Sequence, residues 1–303
     1  MVLKANPKPP PADEGEQPLA GSVKPYQQHL AVCTGGPPEL WAARVEEMEG
    51  LLRALSLALE ARGLNKRIKL TACDAPSTGA EGFDIFLMPD MLILPEITVD
   101  KVDSLANALQ RQFEQGLPFD VEPMPGGDHV FVCVHGNRDA RCGEWGPLLY
   151  EALTREVEAQ GAIAHLHRTS HIGGHAFAAT CIVYPQGIWY GNLRPGDAAR
   201  LVDQHLNRER LLPEHYRGRL GASSCQQVAE AQAARVLIKA YPDYESLSVE
   251  VEEVKGQATA TARAVVPGAG GYVTVSAAFK LSCPVVWWTA DDEPIFGTMN
   301  DER

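Results

Sequence analysis

The sequence predicts an α/β fold of two tandem repeats followed by a small α+β module, and three observations predict it. His29-Leu-Ala-Val-Cys33 recurs 100 residues later as His129-Val-Phe-Val-Cys133. Similarity at a fixed displacement marks a repeated structural unit. Ile85-Phe-Leu-Met-Pro89 aligns with Cys181-Ile-Val-Tyr-Pro185 at a displacement of 96, and Leu105 then aligns with Leu201. Both stretches read as strand, long helix, strand, paired strands and helix, because short apolar runs alternate with segments of helical period. A chain of 303 residues suits two compact domains or three small ones at roughly 150 residues each.

In copy one, residues 26–117, the first strand is His29 to Cys33. Leu40, Trp41, Val45, Met48, Leu52, Leu55 and Leu59 recur at helical spacing and predict a helix from Glu39 to Arg62, ended by Gly63. Strands follow at 68–72, 84–88 and 91–94, the last two as a hairpin around Pro89-Asp90, then a helix at 100–114. Copy two, residues 126–215, repeats this with a strand at 129–134 and a helix at 147–160 opened by Pro147. It continues with a strand at 162–167, a hairpin turning at Pro185-Gln186-Gly187, and a helix at 196–207. Units of about 90 residues in this order are what a thioredoxin-like sandwich requires, with helices on both faces of a central sheet. Residues 1–25 are proline-rich and without period, which predicts a flexible tail. Residues 218–303 read as a helix around 225–240 and strands near 247–254, 258–266, 271–280 and 284–289, a module with no recognisable site.

Lys and Arg number 27 against 39 Asp and Glu. That net charge of -12 argues against a nucleic-acid partner, since no basic surplus exists to neutralise phosphates. No apolar run reaches the roughly 20 residues of a membrane span, and residues 1–11 lack the apolar core of a secretory signal. The expected location is the cytoplasm, where thiols stay reduced. The 7 cysteines, an odd number, make a disulfide framework a poor explanation.

The chemistry concentrates in copy two. Cys133-Val-His-Gly-Asn-Arg-Asp-Ala-Arg-Cys142 ends a strand and enters a polar loop, and His171-Ile-Gly-Gly-His175 follows the next parallel strand. Two thiolates and two imidazoles leaving the same end of a sheet suit a tetrahedral zinc site or a 2Fe-2S cluster with Rieske-type ligands. Zinc fingers place two to four residues between their cysteines, whereas eight separate Cys133 from Cys142, and a loop of that length fits a two-iron cluster better. Singly, each cysteine would read as core and each histidine as a loop residue. Gly173 and Gly174 argue against a helix that would explain the histidine spacing. His165 and His167 alternate with Ala164 and Leu166, as on a polar strand face. Trp189 and Tyr190 offer a docking surface in principle, but core packing is the preferred reading. Cys181, Cys225 and Cys283 sit among apolar residues and read as core.

Residues 129–195 resemble the thioredoxin-like 2Fe-2S ferredoxins, and within them the sucrase/ferredoxin-like branch. The resemblance rests on His129-Val-Phe-Val-Cys133, on Cys-x-His-Gly-x-x-Asp-x-x-Cys over 133–142, on Ser170-His-Ile-Gly-Gly-His175 and on Tyr184-Pro-Gln-Gly-Ile-Trp-Tyr-Gly191. It implies that Cys133, Cys142, His171 and His175 hold one 2Fe-2S cluster, with cysteines on one iron and histidines on the other by analogy with Rieske centres. His135, Arg138, Asp139, Gly173 and Gly174 would surround these ligands. Two neutral imidazoles in place of thiolates raise the potential above the roughly -400 mV of plant-type ferredoxins. They also couple electron uptake to proton uptake, with a limiting slope of about 59 mV per pH unit.

The implied function is electron transfer to an unidentified redox partner protein, an electron carrier rather than an enzyme. The chain would be a monomer with pseudo-dimeric repeats or a homodimer. No carboxylate pair at a glycosidase motif supports the word sucrase. At the four ligand positions copy one shows Cys33, Ala42, Cys73 and Ser77, which implies no cluster there. Two other functions compete: a zinc-stabilised adaptor, and a thiol redox enzyme using Cys33 and Cys73. Neither copy has the Cys-x-x-Cys spacing that the last would favour.

Overall fold

The structure is a computed structural model, and it describes residues 2–3, 18–254, 257–268, 271–288 and 294–297. Its strands are β1 (Val2–Leu3), β2 (Gln28–Cys33), β3 (Ile68–Cys73), β4 (Phe83–Met88), β5 (Leu92–Ile97), β6 (Asp128–Cys133), β7 (Ala164–Thr169), β8 (Cys181–Tyr184), β9 (Ile188–Tyr190) and β10 (Tyr216–Arg219). Then follow β11 (Ser246–Val254), β12 (Gln257–Gly268), β13 (Gly271–Ser282), β14 (Val285–Trp288) and β15 (Pro294–Gly297). The helices are α1 (Leu51–Ala61), α2 (Val102–Gln115), α3 (Ala140–Gln160), α4 (Ala198–Leu201), which continues into a wider turn over 202–206, and α5 (Ser224–Ala240).

Strands β2 to β10 form one nine-stranded sheet in the order β10-β9-β8-β6-β7-β3-β2-β4-β5. Within it β2 runs parallel to β3 and antiparallel to β4, and β6 runs parallel to β7 and antiparallel to β8. The two halves therefore share strand order and sense. They meet at one antiparallel pair, Cys73 with Thr169, flanked by backbone bonds from Asp74 to Arg168 (3.1 Å) and from Ser170 to Ala72 (2.9 Å). Cys73 is in register with Cys33, and Thr169 with Cys133, so the paired residues occupy one equivalent position. Self-pairing of that kind is what a two-fold contact produces.

Side chains alternate across a strand, and the alternation divides the core. Leu30, Val32, Val130 and Val132 face the buried residues of α1 to α4. Ala31, Cys33, Phe131 and Cys133 face the other side, against Tyr26, Met124, Ile172 and Trp189. The helices α1 to α4 thus cover one face, not both as expected, and loops and the segment before β2 cover the other. That second face carries the ligand-type residues. Trp189 and Tyr190 are buried, as is Cys181. The C-terminal sheet, in the order β1-β13-β12-β11, packs Ala260, Ala262, Val275 and Phe279 against Ala229, Ala233 and Leu237 of α5. Among the described residues no helix is long and apolar enough to cross a membrane.

Several expectations are corrected. The helix predicted over 39–62 is two short 3-10 turns at 38–40 and 45–47 followed by α1. Gly50, at φ 90°, takes a backbone shape that interrupts any helix; of the apolar positions before it, Trp41 and Val45 are buried and Leu40 is exposed. Pro147 lies inside α3, which begins at Ala140 behind the capping side chain of Asp139. Residues 18–25, expected in the tail, are packed, with Ser22 and Val23 buried. Residues 4–17 of that tail lie outside the described residues. Cys225 and Cys283 are joined in a disulfide that ties α5 to the end of β13. His167 is buried, stacked on Phe131 at 4.7 Å, and its Nε2 meets His129 Nδ1 at 3.0 Å. Burial pulls His167 down to about 3, so the ring is neutral and belongs to the core rather than to a polar strand face.

Helix α3 approaches β6 through glycine: a Cβ at 146 would overlap the Cys133 carbonyl oxygen. Gly146→Ala should therefore destabilise the chain by about 2 kcal/mol, although alanine is intrinsically the better helix residue. Thermal unfolding checks this, and a raised midpoint would refute the close approach.

Candidate metal centre

Two strand ends and one helix start build the site. Cys133 is the last residue of β6, and Cys142 sits in the first turn of α3. The loop between them folds back over the helix because Gly136 and Gly143 have no side chains; a Cβ at 143 would lie 2.6 Å from the Gly136 Cα. Asp139 caps α3 by accepting from the Arg141 backbone N–H at 2.9 Å, as expected of a helix N-cap. His171 follows β7, and Gly173 and Gly174 then turn the chain at φ 103° and 74° toward His175.

The donor atoms of Cys133, Cys142 and His171 lie within 4.8 Å of one another. Both cysteines are buried, and His171 and His175 are partly exposed. The His175 ring lies 5.5 Å from that of His171, with its Nε2 3.8 Å from Asp139 Oδ2. Three of the four expected ligands thus converge, and the fourth stands beside them on the same loop. Hydrogen bonding from Cys142, then from His171 and its charge, pulls the Cys133 thiol well below its ordinary value despite burial. Hydrogen bonds from Arg141 and the charge of His175 hold the Asp139 carboxyl down to about 2, so it remains an anion facing His175.

The surrounding residues hold the loops. His135 is fully buried, and its Nδ1 accepts from the His171 backbone N–H at 3.1 Å. It therefore steadies the His171 loop. Burial lowers its pKa, and accepting at Nδ1 places its proton on Nε2. Its ring meets Trp41 edge-on at 5.8 Å. Asn137 donates to the carbonyls of Glu39 (3.0 Å) and Trp41 (2.8 Å), so the other half of the chain grips the ligand loop. Arg138 faces the cleft beside His171.

Sequence reasoning missed Arg217. Its buried guanidinium donates to the Gly173 carbonyl at 3.0 Å and to Ser22 Oγ and O at 3.0 and 2.9 Å. A Cβ at 174 would overlap it, which explains the second glycine. No local motif announces a brace 44 residues from Gly173.

In the first half, Cys33 and Cys73 lie with sulfurs 3.9 Å apart, and the Ser77 hydroxyl donates to the Cys33 carbonyl. Strand register equates Cys73 with Thr169, a displacement of 96. The counterparts of His171 and His175 are therefore Ala75 and Gly79, not Cys73 and Ser77. Among these positions only Cys33 keeps a ligand-type side chain.

A donor set of two thiols and two imidazoles, with both sulfurs buried, fits a 2Fe-2S cluster. The curated protein named altered inheritance of mitochondria protein 32 from Debaryomyces hansenii is 36% identical over 98 residues, 31% of this chain and 36% of its own length. Its counterpart from Meyerozyma guilliermondii is 33% identical over 94 residues, 29% of this chain and 33% of its own. The chain thus spans about a third of the length of these curated relatives. Among solved structures, a thioredoxin-like 2Fe-2S ferredoxin from Aquifex aeolicus matches at 20% identity with a TM-score of 0.28, covering 30% of this chain and 91% of that one. The sucrase/ferredoxin-like family matches residues 19–218, about two thirds of the sequence and both halves of the large sheet, and the chain belongs to that family.

Proposed function

We propose that the chain is an electron-transfer protein carrying one 2Fe-2S cluster on Cys133, Cys142, His171 and His175. The carrying observation is the convergence of two buried thiols and an imidazole within 4.8 Å, with His175 on the same loop. Bound there, the cluster supplies a one-electron couple. The residues of the chain do the rest. The burial of Cys133 and Cys142 keeps water from the sulfur side, while His171 and His175 lead outward to the surface. Asp139 stays anionic beside His175. Residues 26–117 then act as a buttress for residues 126–215, and residues 218–303 form an appended module.

Zinc competes for the same donors, because three ligand atoms this close also suit a single ion. The thiol-enzyme reading is not favoured. Cys33 and Cys73 are fully buried, and the hydrogen bond with Cys73, burial and neighbouring charge push the Cys33 thiol far up. A thiol held protonated is a poor nucleophile.

Chain purified without oxygen should be red-brown, contain two irons and two acid-labile sulfides at about one cluster per chain, and bleach with dithionite. Colourless chain with one zinc would end the electron-transfer reading. His171→Cys with His175→Cys should keep iron and sulfide but shift the spectrum and lower the potential, as thiolates replace neutral ligands; unchanged spectra would remove both residues from the ligand set. Arg217→Met should leave the four ligands in place yet loosen their loop, reducing iron per chain at least about twofold, in line with a lost supporting contact around a metal ligand. Iron assay and circular dichroism on the same sample separate that loss from unfolding.

A further inference from the structure

The C-terminal module carries a second convergence of ligand-type atoms. One donor atom each of Cys225, Glu253 and Cys283 lies within 4.8 Å of the others. Three elements supply them: Cys225 stands in the first turn of α5, Glu253 next to last in β11, and Cys283 directly after β13. The sulfurs form the disulfide described above. The carboxylate has no part in that bond, and its position follows from the sheet.

Alternate residues of β11 face α5. Leu247, Val249 and Val251 pack against the core between sheet and helix, and Glu253 continues their row. Glu250 lies on the opposite face, where it pairs with Arg263 at 2.7 Å. Glu253 is in register with Ala258, and Ala258 with Leu281. Both partners are buried, so this row crosses the helix-facing side of the sheet and ends two residues short of Cys283. An apolar stripe thus closes with a carboxylate at the place where both sulfurs lie. Cys225 is buried and Glu253 exposed, so the three donors run from the core to solvent, where an ion can enter.

Cys225 also lies at the positive end of α5, whose 17 residues begin behind the Ser223 cap. That end favours the negative charge that a metal-bound thiolate brings. Two thiolates and one carboxylate suit zinc, with the fourth tetrahedral position left to water. Magnesium and calcium prefer oxygen donors alone. We propose that, once the disulfide is reduced, Cys225, Glu253 and Cys283 bind zinc, so that one site alternates between a covalent bridge and a metal bridge. A dithiol reductant supplies two electrons and two protons: the Cys225–Cys283 bond breaks, two thiols form, and the sulfurs of the dithiol become bonded to each other. Zinc then displaces the two thiol protons. The bridge joins α5 to the end of β13 when oxidised, and adds β11 when it holds the metal.

The test uses the full chain, reduced with tris(2-carboxyethyl)phosphine and compared with untreated chain. Thiols are counted in denaturant after the phosphine is removed, and bound zinc is measured by mass spectrometry of the metal. Reduction should yield two further thiols and raise bound zinc by about one ion per chain. Glu253→Gln, which keeps both cysteines, should form the same thiols but hold the added zinc at least about tenfold more weakly against a chromogenic chelator. Glu252→Gln, on the outer face of β11, should match the parent. Cys283→Ser should lose the gain, with circular dichroism confirming its fold. No added zinc on reduction, an undiminished gain in Cys283→Ser, equal effects of Glu253→Gln and Glu252→Gln, or a disulfide that resists the phosphine would each overturn the proposal. Iron and sulfide, assayed on the same samples, keep metal held at Cys133 and His171 out of the comparison.

Discussion

The two halves of the large sheet are held in one plane of strands by a very short joint, the pairing of Cys73 with Thr169 and its two flanking backbone bonds. The joint lies at the carboxyl ends of the parallel strands, where the chain leaves the sheet in loops. That position sets the loop 34–41 of one half against the loop 134–139 of the other. Trp41 can then meet His135, and Asn137 can reach the carbonyls of residues 39 and 41. The polar groups at the joint are themselves satisfied: the Thr169 hydroxyl donates to the Ala72 carbonyl, and the Ala72 N–H donates to Ser170 Oγ. Burying them costs little because each has a partner.

The halves share a topology but treat the same place in opposite ways. At the end of β6 two sulfurs and an imidazole converge within 4.8 Å. At the end of β2 the positions corresponding to Cys142, His171 and His175 are Ala42, Ala75 and Gly79, and Cys33 instead meets Cys73 while Ser77 donates to the Cys33 carbonyl. One half holds donors and the other holds the loop that presents them. The cleft beside His171 is lined by both, since Lys66 and Lys69 come from one half and Arg138 and His171 from the other.

Much of this was legible in the residues. Continuous apolar runs located β2, β6 and β8, because central strands are buried on both sides and read the same way in any context. The convergence of Cys133, Cys142 and His171, with His175 beside them, was legible because such side chains are rare and each pair is closely spaced. What failed depended on backbone shape or on distant partners. The stretch 39–50 buries Trp41 and Val45 as expected, but Leu40 is exposed and Gly50 prevents the expected helix. Pro147 sits within α3 rather than at its start, and the bond it omits falls on the carbonyl of Gly143, in a turn already held by the Asp139 cap. Arg217 and the Cys225–Cys283 bridge act over long separations and leave no periodic trace.

The brace on the histidine loop also has a bearing on the order of events during synthesis. Gly173 is held by Arg217, which is in turn held by Ser22, so the loop is secured by residues from the two ends of the region that defines the family. A nascent chain exposes Cys133, Cys142, His171 and His175 well before residue 217 leaves the ribosome. During that interval all four donors exist, but the loop bearing two of them lacks its anchor. On the proposed 2Fe-2S reading, secure capture of the cluster would thereby be deferred until residue 217 has been made.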